Sequence, residues 1–153
     1  MTKLPLLFLL LLHLCLLPAS LQAEEFSCKY YSVRLPAGWH AVTPPTENQG
    51  MYNAVFVKGS GYPSVSLLAG ETGGADLKTI ADIFAEQYKA SKPTSLKNGR
   101  YFFNFTLENK PCQAWIAVQG HSFMVTTLIG SPKEGLRFVR NNVHSTDYPD
   151  LLP

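Results

Sequence analysis

Three consecutive stretches between residues 100 and 129 alternate in side-chain character, and this pattern constrains the fold most. Large apolar residues occupy every second position of Arg100–Leu107, and Cys112–Gln119 and Phe123–Ile129 alternate in a similar way. A period of two residues places successive side chains on opposite faces of a strand. Short turns join the stretches, and Gly120 begins the second turn, as a type II′ turn requires. The sequence therefore predicts an antiparallel three-stranded meander.

Three further strands are predicted before this meander. Tyr30–Leu35 alternates between apolar and polar residues, whereas Tyr52–Lys58 and Val65–Ala69 are flanked by turn-forming residues. The Gly-rich segment between the latter two favours a hairpin. The polar segment Thr43–Gly50 carries two prolines and is predicted to be a loop.

Two helices are predicted, one after each group of three strands. Asp76 is a residue type that caps a helix N-terminus. Five apolar residues then follow at helical spacing: Leu77, Ile80, Ala81, Phe84 and Tyr88. This helix should end near Ser91, before Pro93. The second helix begins with Ser131 as its predicted cap and Pro132 in its first turn. Its apolar stripe is sparser: Leu136, Val139 and Val143.

This order of elements predicts a single α+β domain. Two helices should pack on a mostly antiparallel six-stranded sheet. A chain of 153 residues suits one domain of ordinary size. The tail from about residue 145 onward is expected to be loosely attached.

Residues 1–23 have the three-part organisation of a secretory signal peptide. Lys3 supplies the positive charge, Leu4–Leu17 is almost unbroken apolar sequence, and Ala23 precedes the predicted cleavage site. Cleavage after Ala19 is the alternative. The apolar stretch is shorter than the roughly 20 residues that a membrane-spanning helix needs. The mature domain is therefore predicted to be residues 24–153, in the periplasm or secreted.

The three cysteines have different expected fates. Cys15 follows His13 and Leu14, where a small residue normally precedes a lipid-modified cysteine, so it should be removed with the signal peptide. Cys28 and Cys112 remain and are predicted to form a disulfide in an oxidising compartment. Two unpaired thiols are the alternative. Their spacing is not Cys-x-x-Cys, which gives a redox role little support.

Charge and motifs exclude several functions. The net charge of +2 is too small to favour nucleic acid or acidic lipid as a partner. His40, His121 and His144 lack the i, i+4 spacing of a helical metal site. Gly70–Gly74 precedes a helix but lacks the Lys-Ser/Thr pair of a phosphate-binding loop. The sequence predicts no catalytic residue, metal ligand or cofactor.

The segment Tyr31–Trp39 resembles the opening of PsbP/DcrB-like domains, where a short strand runs into Pro-x-Gly-Trp, here Pro36–Trp39. The predicted order of hairpin, helix, three-stranded meander and final helix is also similar to that fold, over about residues 30–143. The resemblance implies an α-β-α sandwich and a non-enzymatic role. Relatives include lumenal accessory subunits of photosystem II and a bacterial envelope lipoprotein, and they dock onto larger protein assemblies. This chain departs from that lipoprotein by lacking a convincing attachment cysteine.

Exposed aromatic residues provide the candidate binding site. Phe102 and Trp115 share the sheet face that only the second, sparsely apolar helix can cover, so part of this face can remain open. Phe102, Trp115 and Tyr62, which lies at a hairpin tip, are therefore predicted to contact a partner. Trp39 is expected either to plug the core beside Pro36 or to be a contact residue.

These observations predict an exported, non-enzymatic docking module of the cell envelope. Its partner would be an envelope protein or assembly, with no nucleic acid, and it would reach a membrane only through that partner. The alternative is a small-ligand carrier with a pocket between sheet and helix. A third possibility is a hydrolase with an unrecognised site.

Overall fold

The computed structural model describes residues 23–153. The predicted signal peptide up to residue 22, with Cys15, lies outside the described residues. The first five strands are β1 (Glu25–Ser27), β2 (Ser32–Arg34), β3 (Trp39–Asn48), β4 (Met51–Lys58) and β5 (Ser64–Glu71). Helix α1 (Leu77–Gln87) precedes β6 (Thr94–Ser95), β7 (Tyr101–Leu107), β8 (Lys110–Gln119) and β9 (Ser122–Ile129). Helix α2 (Pro132–Asn142), β10 (Val143–His144) and a 3₁₀ turn (Pro149–Leu151) complete the chain.

The strands form two antiparallel sheets. The larger sheet has seven strands in the order β3-β4-β5-β9-β8-β7-β6, and its central pairs β4–β5 and β7–β8–β9 are the predicted hairpin and meander. The smaller sheet has three strands in the order β1-β2-β10. The structure is therefore α+β with two helices and antiparallel sheets, as predicted, but it is not a single six-stranded sheet.

The two helices cover opposite faces of the seven-stranded sheet. Helix α1 places Ile80 and Ala81 against Phe103 of β7 and its neighbours, whereas α2 places Phe138 and Val139 against strands β4, β5 and β9. The division follows the period-two alternation of the strands, since successive residues of each strand enter different cores. This produces a three-layer arrangement with an apolar core on each side of the sheet.

The additional strand β3 corrects the loop predicted at Thr43–Gly50. Pro44 and Pro45 are tolerated because β3 is an edge strand, and the register with β4 shifts between Thr43 and Thr46. The predicted strand Tyr30–Leu35 is shorter than expected and, as β2, belongs to the small sheet. Its apolar residues are nevertheless buried.

Helix boundaries agree only in part with the predictions. The Asp76 cap is confirmed, because Oδ1 accepts a hydrogen bond of 2.7 Å from the Thr79 backbone N–H. Helix α1 ends at Gln87, before the predicted Ser91, and Lys89 follows in the left-handed region with φ of 51°. At α2, Pro132 stands in the first turn as predicted, but the Ser131 side chain makes no capping hydrogen bond.

The C-terminal tail is packed, which corrects the expectation that it is loosely attached. Leu151 is only 1% exposed and belongs to the core on the α2 side. The Arg100 guanidinium donates a hydrogen bond of 2.6 Å to the Leu152 carbonyl, and the Gln119 side chain donates to the Asp147 carbonyl at 3.0 Å. The tail is therefore held in part by the burial of an apolar side chain. The sequence did not predict this because residues 145–153 are mostly polar and include two prolines.

The predicted Cys28–Cys112 disulfide is absent, and both residues are free thiols. Cys112 lies at the Ile129 end of the sheet and, like Ala114 and Ile116 on the same strand, faces α1. Cys28 packs against the core on the α2 side, and the neighbouring Lys29 pairs with Glu71 at the opposite end of the sheet. The thiols are therefore on different faces and at different ends, too far apart for the geometry of a disulfide.

Candidate functional site

The structure brings Phe102 and Trp115 together as directly opposed residues of β7 and β8. Their rings stack with centroids 5.6 Å apart and planes inclined by 27°. The next opposed pair on this face is Asn104 and Gln113. We call these four residues (Phe102, Asn104, Gln113 and Trp115) the aromatic–amide strip.

Hydrogen bonds fix the side chains of the aromatic–amide strip. The Trp115 Nε1–H donates to Gln113 Oε1 at 2.8 Å, and Gln113 Nε2 donates to Asn104 Oδ1 at 3.1 Å. The exposed Asn104 amide therefore ends the chain of bonds with its N–H groups directed to solvent or to a ligand. An ordered aromatic pair next to a free amide donor is suited to bind a polar surface that also has an apolar part.

Helix α2 leaves the aromatic–amide strip partly open because its aromatic and ionic contacts lie toward the β3–β4 edge of the sheet. Phe138 packs against Trp39 of β3 and Phe56 of β4, and Glu134 pairs with Lys58 of β4. Phe102 and Trp115 both remain half-buried. Leu136, about half a turn around α2 from Phe138, is partly buried and packs against the same core.

The outer face of α2 is basic. Lys133, Arg137 and Arg140 are exposed and lie on one face of the helix, at i, i+4 and i+7. Among residues 23–153 none of the three forms an ion pair within 4.0 Å. Because Trp115 packs against the core on the α2 side, this basic face and the aromatic–amide strip lie on the same side of the sheet.

Tyr62, the third predicted contact residue, lies elsewhere. Its ring packs beside Gly130 and under the Lys110 ammonium, which is 4.4 Å from the ring centroid. Lys110 and Trp115 are five positions apart on β8, which corresponds to about 17 Å along the strand. Tyr62 therefore does not belong to the aromatic–amide strip. Gln113 was missed as a site residue because only the strand register aligns it with Asn104.

An opening also lies on the other side of the sheet, between α1 and β7. It has a volume of about 500 Å³ and is formed where the end of α1 meets β7. The Tyr88 and Phe105 rings stack in its wall with centroids 4.7 Å apart, and Ser91, Asn104 and Thr106 add polar groups. Its position matches that of the predicted alternative, a ligand pocket between sheet and helix.

Chemistry-bearing side chains are dispersed over the described chain. His40, His121 and His144 are all exposed and lie on β3, in the β8–β9 turn and on β10. Within residues 23–153, no three or more His, Cys, Asp or Glu side chains are grouped so that they could hold a metal ion. None of the helices in this same range combines the length and apolar character needed to cross a membrane.

Comparison with models of known protein families finds no match to this chain, and comparison with curated proteins finds no similar sequence.

Proposed function

We propose that this chain is an exported, non-enzymatic docking module that binds an acidic segment of an envelope protein. The observation that carries the proposal is the stacked Phe102–Trp115 pair, left half-buried on the side of the sheet that α2 covers. Export itself rests on the sequence of residues 1–23.

The chemistry of this surface favours a protein partner. Trp and Arg are over-represented among residues that dominate binding energy at protein interfaces. Asn104 supplies a donor for a backbone carbonyl or a carboxylate of the partner. The α2 cations, which form no ion pair among residues 23–153, attract acidic groups and speed encounter, and this contribution weakens as salt is added.

We further propose that the fold is of the PsbP/DcrB-like type. The three-layer α-β-α arrangement supports this, as does the local role of the Pro-x-Gly-Trp segment. Gly38 adopts φ of 83°, which a residue with a side chain rarely does, and it turns the chain into β3. Trp39 then stacks on Phe138 of α2. The segment thus joins an edge strand to a helix, which requires a glycine and a large aromatic residue in sequence.

Site-specific crosslinking in the native envelope tests the docking proposal. A photoreactive residue at the exposed position 104 should capture a discrete protein, and one at Ile83, exposed on α1, should not. Trp115→Ala should reduce capture at least tenfold, as expected for a central interface residue. Arg137→Glu with Arg140→Glu should also reduce capture, whereas Lys78→Glu with Lys89→Glu, exposed on the α1 side, should leave it unchanged.

Two outcomes would overturn the proposal. Capture that persists in Trp115→Ala, with the same products from positions 104 and 83, would show that the aromatic–amide strip is not the docking site. Binding to vesicles of anionic lipid in place of a protein would replace a docking module with a membrane-binding one.

The ligand-carrier alternative has its own observation, the opening beside Tyr88 and Phe105. Native mass spectrometry of the protein from its host should then detect a bound small molecule. Phe105→Ala should release it, whereas Trp115→Ala should not.

A further inference from the structure

An exposed asparagine–glycine pair lies at the tip of the β6–β7 hairpin. Two backbone hydrogen bonds close this turn: the Gly99 N–H donates to the Leu96 carbonyl at 3.1 Å, and the Leu96 N–H donates to the Arg100 carbonyl at 2.7 Å. Gly99 adopts φ of 71°, as the left-handed residue that ends a three-residue hairpin loop does. Because a residue with a side chain rarely adopts this φ, the turn requires a glycine directly after Asn98.

The Asn98 side chain is accessible to the backbone nitrogen that follows it. Asn98 and Gly99 are both exposed. No side-chain hydrogen bond within residues 23–153 holds the Asn98 amide, whereas the Asn142 amide donates to the Phe138 carbonyl at 3.0 Å. Among the described residues, no heavy atom beyond the chain neighbours lies within 4 Å of the position that a Cβ on Gly99 would occupy. The Gly99 nitrogen is therefore sterically open.

Few contacts hold the turn closed. Strand β6 consists only of Thr94 and Ser95, and it pairs on one side only, with β7. Segments with few contacts open at a low cost in free energy, because little must be broken. Opening releases the Gly99 N–H from the Leu96 carbonyl and lets the nitrogen approach the Asn98 side chain.

We propose that Asn98 is a site of spontaneous deamidation, with water as the only co-reactant. The Gly99 backbone nitrogen attacks Asn98 Cγ, a C–N bond forms, the Cγ–Nδ2 bond breaks, and ammonia leaves with the proton lost by Gly99. The product is a succinimide ring, whose closure within one chain is favoured by proximity. Water then opens the ring. Opening at Cγ gives aspartate, and opening at the main-chain carbonyl gives isoaspartate, in which the backbone runs through the side chain.

One of the two products disturbs the residue that anchors the C-terminal tail. The Arg100 guanidinium donates to the Leu152 carbonyl at 2.6 Å and to the Asp150 carbonyl at 3.2 Å. Isoaspartate lengthens the main chain between Leu96 and Arg100 by one carbon, which displaces Arg100 from the geometry that the closed turn imposes. Aspartate adds only a negative charge at the exposed tip. Isoaspartate therefore loosens the tail, whereas aspartate leaves it packed.

Incubation of the folded protein at mildly alkaline pH, followed by peptide mapping, tests the chemistry. The peptide that contains Asn98 should gain the mass of replacing NH₂ by OH, and fragmentation should identify isoaspartate at this position. Asn109 is the matched control, because it is also exposed in a hairpin turn but precedes Lys110. It should react about tenfold more slowly, since a side chain on the following residue hinders close approach. Asn98→Gln should abolish the reaction at this position.

The same incubation in urea gives the rate for the open chain. Reaction at Asn98 in urea but not in the folded protein would show that the turn protects the amide and would overturn the site. Equal rates at Asn98 and Asn109 in the folded protein would overturn the role of Gly99.

Hydrogen exchange tests the consequence for the tail separately. Backbone amides of residues 147–152 should exchange faster in the chromatographically separated isoaspartate form than in unmodified protein. Asn98→Asp is the control, because it carries the same charge on a normal backbone, and its tail should exchange like that of wild type. Unchanged exchange in the isoaspartate form, or equally fast exchange in Asn98→Asp, would overturn the link between backbone lengthening and the Arg100 anchor.

Discussion

The indole of Trp39 stacks on the Phe138 ring, with centroids 4.0 Å apart and planes inclined by 22°. This contact joins the edge strand β3 to helix α2. Phe138→Ala should lower the free energy of unfolding by about 3–5 kcal/mol, because it empties a buried position. Trp39→Ala should lower the free energy of unfolding by a smaller amount, since the indole is half-buried. A double-mutant cycle by urea denaturation should give a coupling of about 0.5–1.5 kcal/mol. Strictly additive effects would mean that the stack contributes nothing beyond burial.

Two isoleucines of α1 offer a matched comparison. Ile80 is 5% exposed and Ile83 is 56% exposed. Ile80→Ala should destabilise the protein by about 2–5 kcal/mol, whereas Ile83→Ala should change stability by no more than about 0.5 kcal/mol. Phe84 is half-buried against Phe123, so Phe84→Ala should destabilise the protein by an amount between those of the two isoleucine variants. Similar melting temperatures for the two isoleucine variants would be incompatible with the orientation of this helix.

The packed tail makes a clear prediction. Leu151→Ala should destabilise the protein by about 2–5 kcal/mol, because the side chain is in the core on the α2 side. Asp150→Ala is the control, since its neighbouring contacts use only its backbone. Thermal unfolding of both variants checks the prediction. A tail that is loosely attached would leave Leu151→Ala as stable as the control.

The helix cap should contribute to the pH dependence of stability. The hydrogen bond from the Thr79 N–H lowers the pKa of Asp76 below its ordinary value of 3.8. The stabilisation is therefore complete above that value and is lost as pH falls through the lower pKa of the folded state. Asp76→Asn caps the helix without titrating. Its stability, measured by denaturation across the acid range, should fall less steeply below 3.8 than that of wild type; parallel curves would exclude the effect.

Because Cys28 and Cys112 are free thiols, the stability of the protein should not depend on reductant. The melting temperature of the folded protein should be the same with and without dithiothreitol, and alkylation in denaturant should find Cys28 and Cys112 both reactive. A disulfide between them would close a long loop and add about 4 kcal/mol in the chain-entropy model. A marked loss of stability on reduction would therefore show that the protein forms this disulfide, contrary to the structure.

The sequence correctly predicted those strands and helices whose structure depends mainly on the spacing of apolar residues within the segment. The alternation around Phe103 and the stripe around Ile80 identified the meander and α1, because period alone distinguishes strand from helix. Pro44 and Pro45 concealed β3, since their tolerance depends on the strand lying at a sheet edge. The burial of Leu151 likewise depends on distant residues.

The candidate site also combines features that local spacing predicts with features that depend on distant parts of the chain. Alternation placed Phe102 and Trp115 on one face, and the structure confirms that they share it. The partnership of Asn104 with Gln113, and the separation of Cys28 from Cys112, depend on strand register and strand order. Neither is encoded in the spacing of residues along one strand.

The prolines of β3 also limit how any partner can attach. Pro44 and Pro45 remove two backbone N–H donors from the edge strand β3, and the register shift beside them interrupts its regular pairing. At the other edge, β6 has only two residues, Thr94 and Ser95. β6 pairs with only Tyr101 and Phe102, and the short stretch of β7 beyond it has its Asn104 carbonyl occupied by the Ser91 N–H. Strand addition and amyloid-like stacking are therefore disfavoured at both borders of the described sheet. Recognition is thereby directed to side chains on the sheet faces, where sequence can specify the partner.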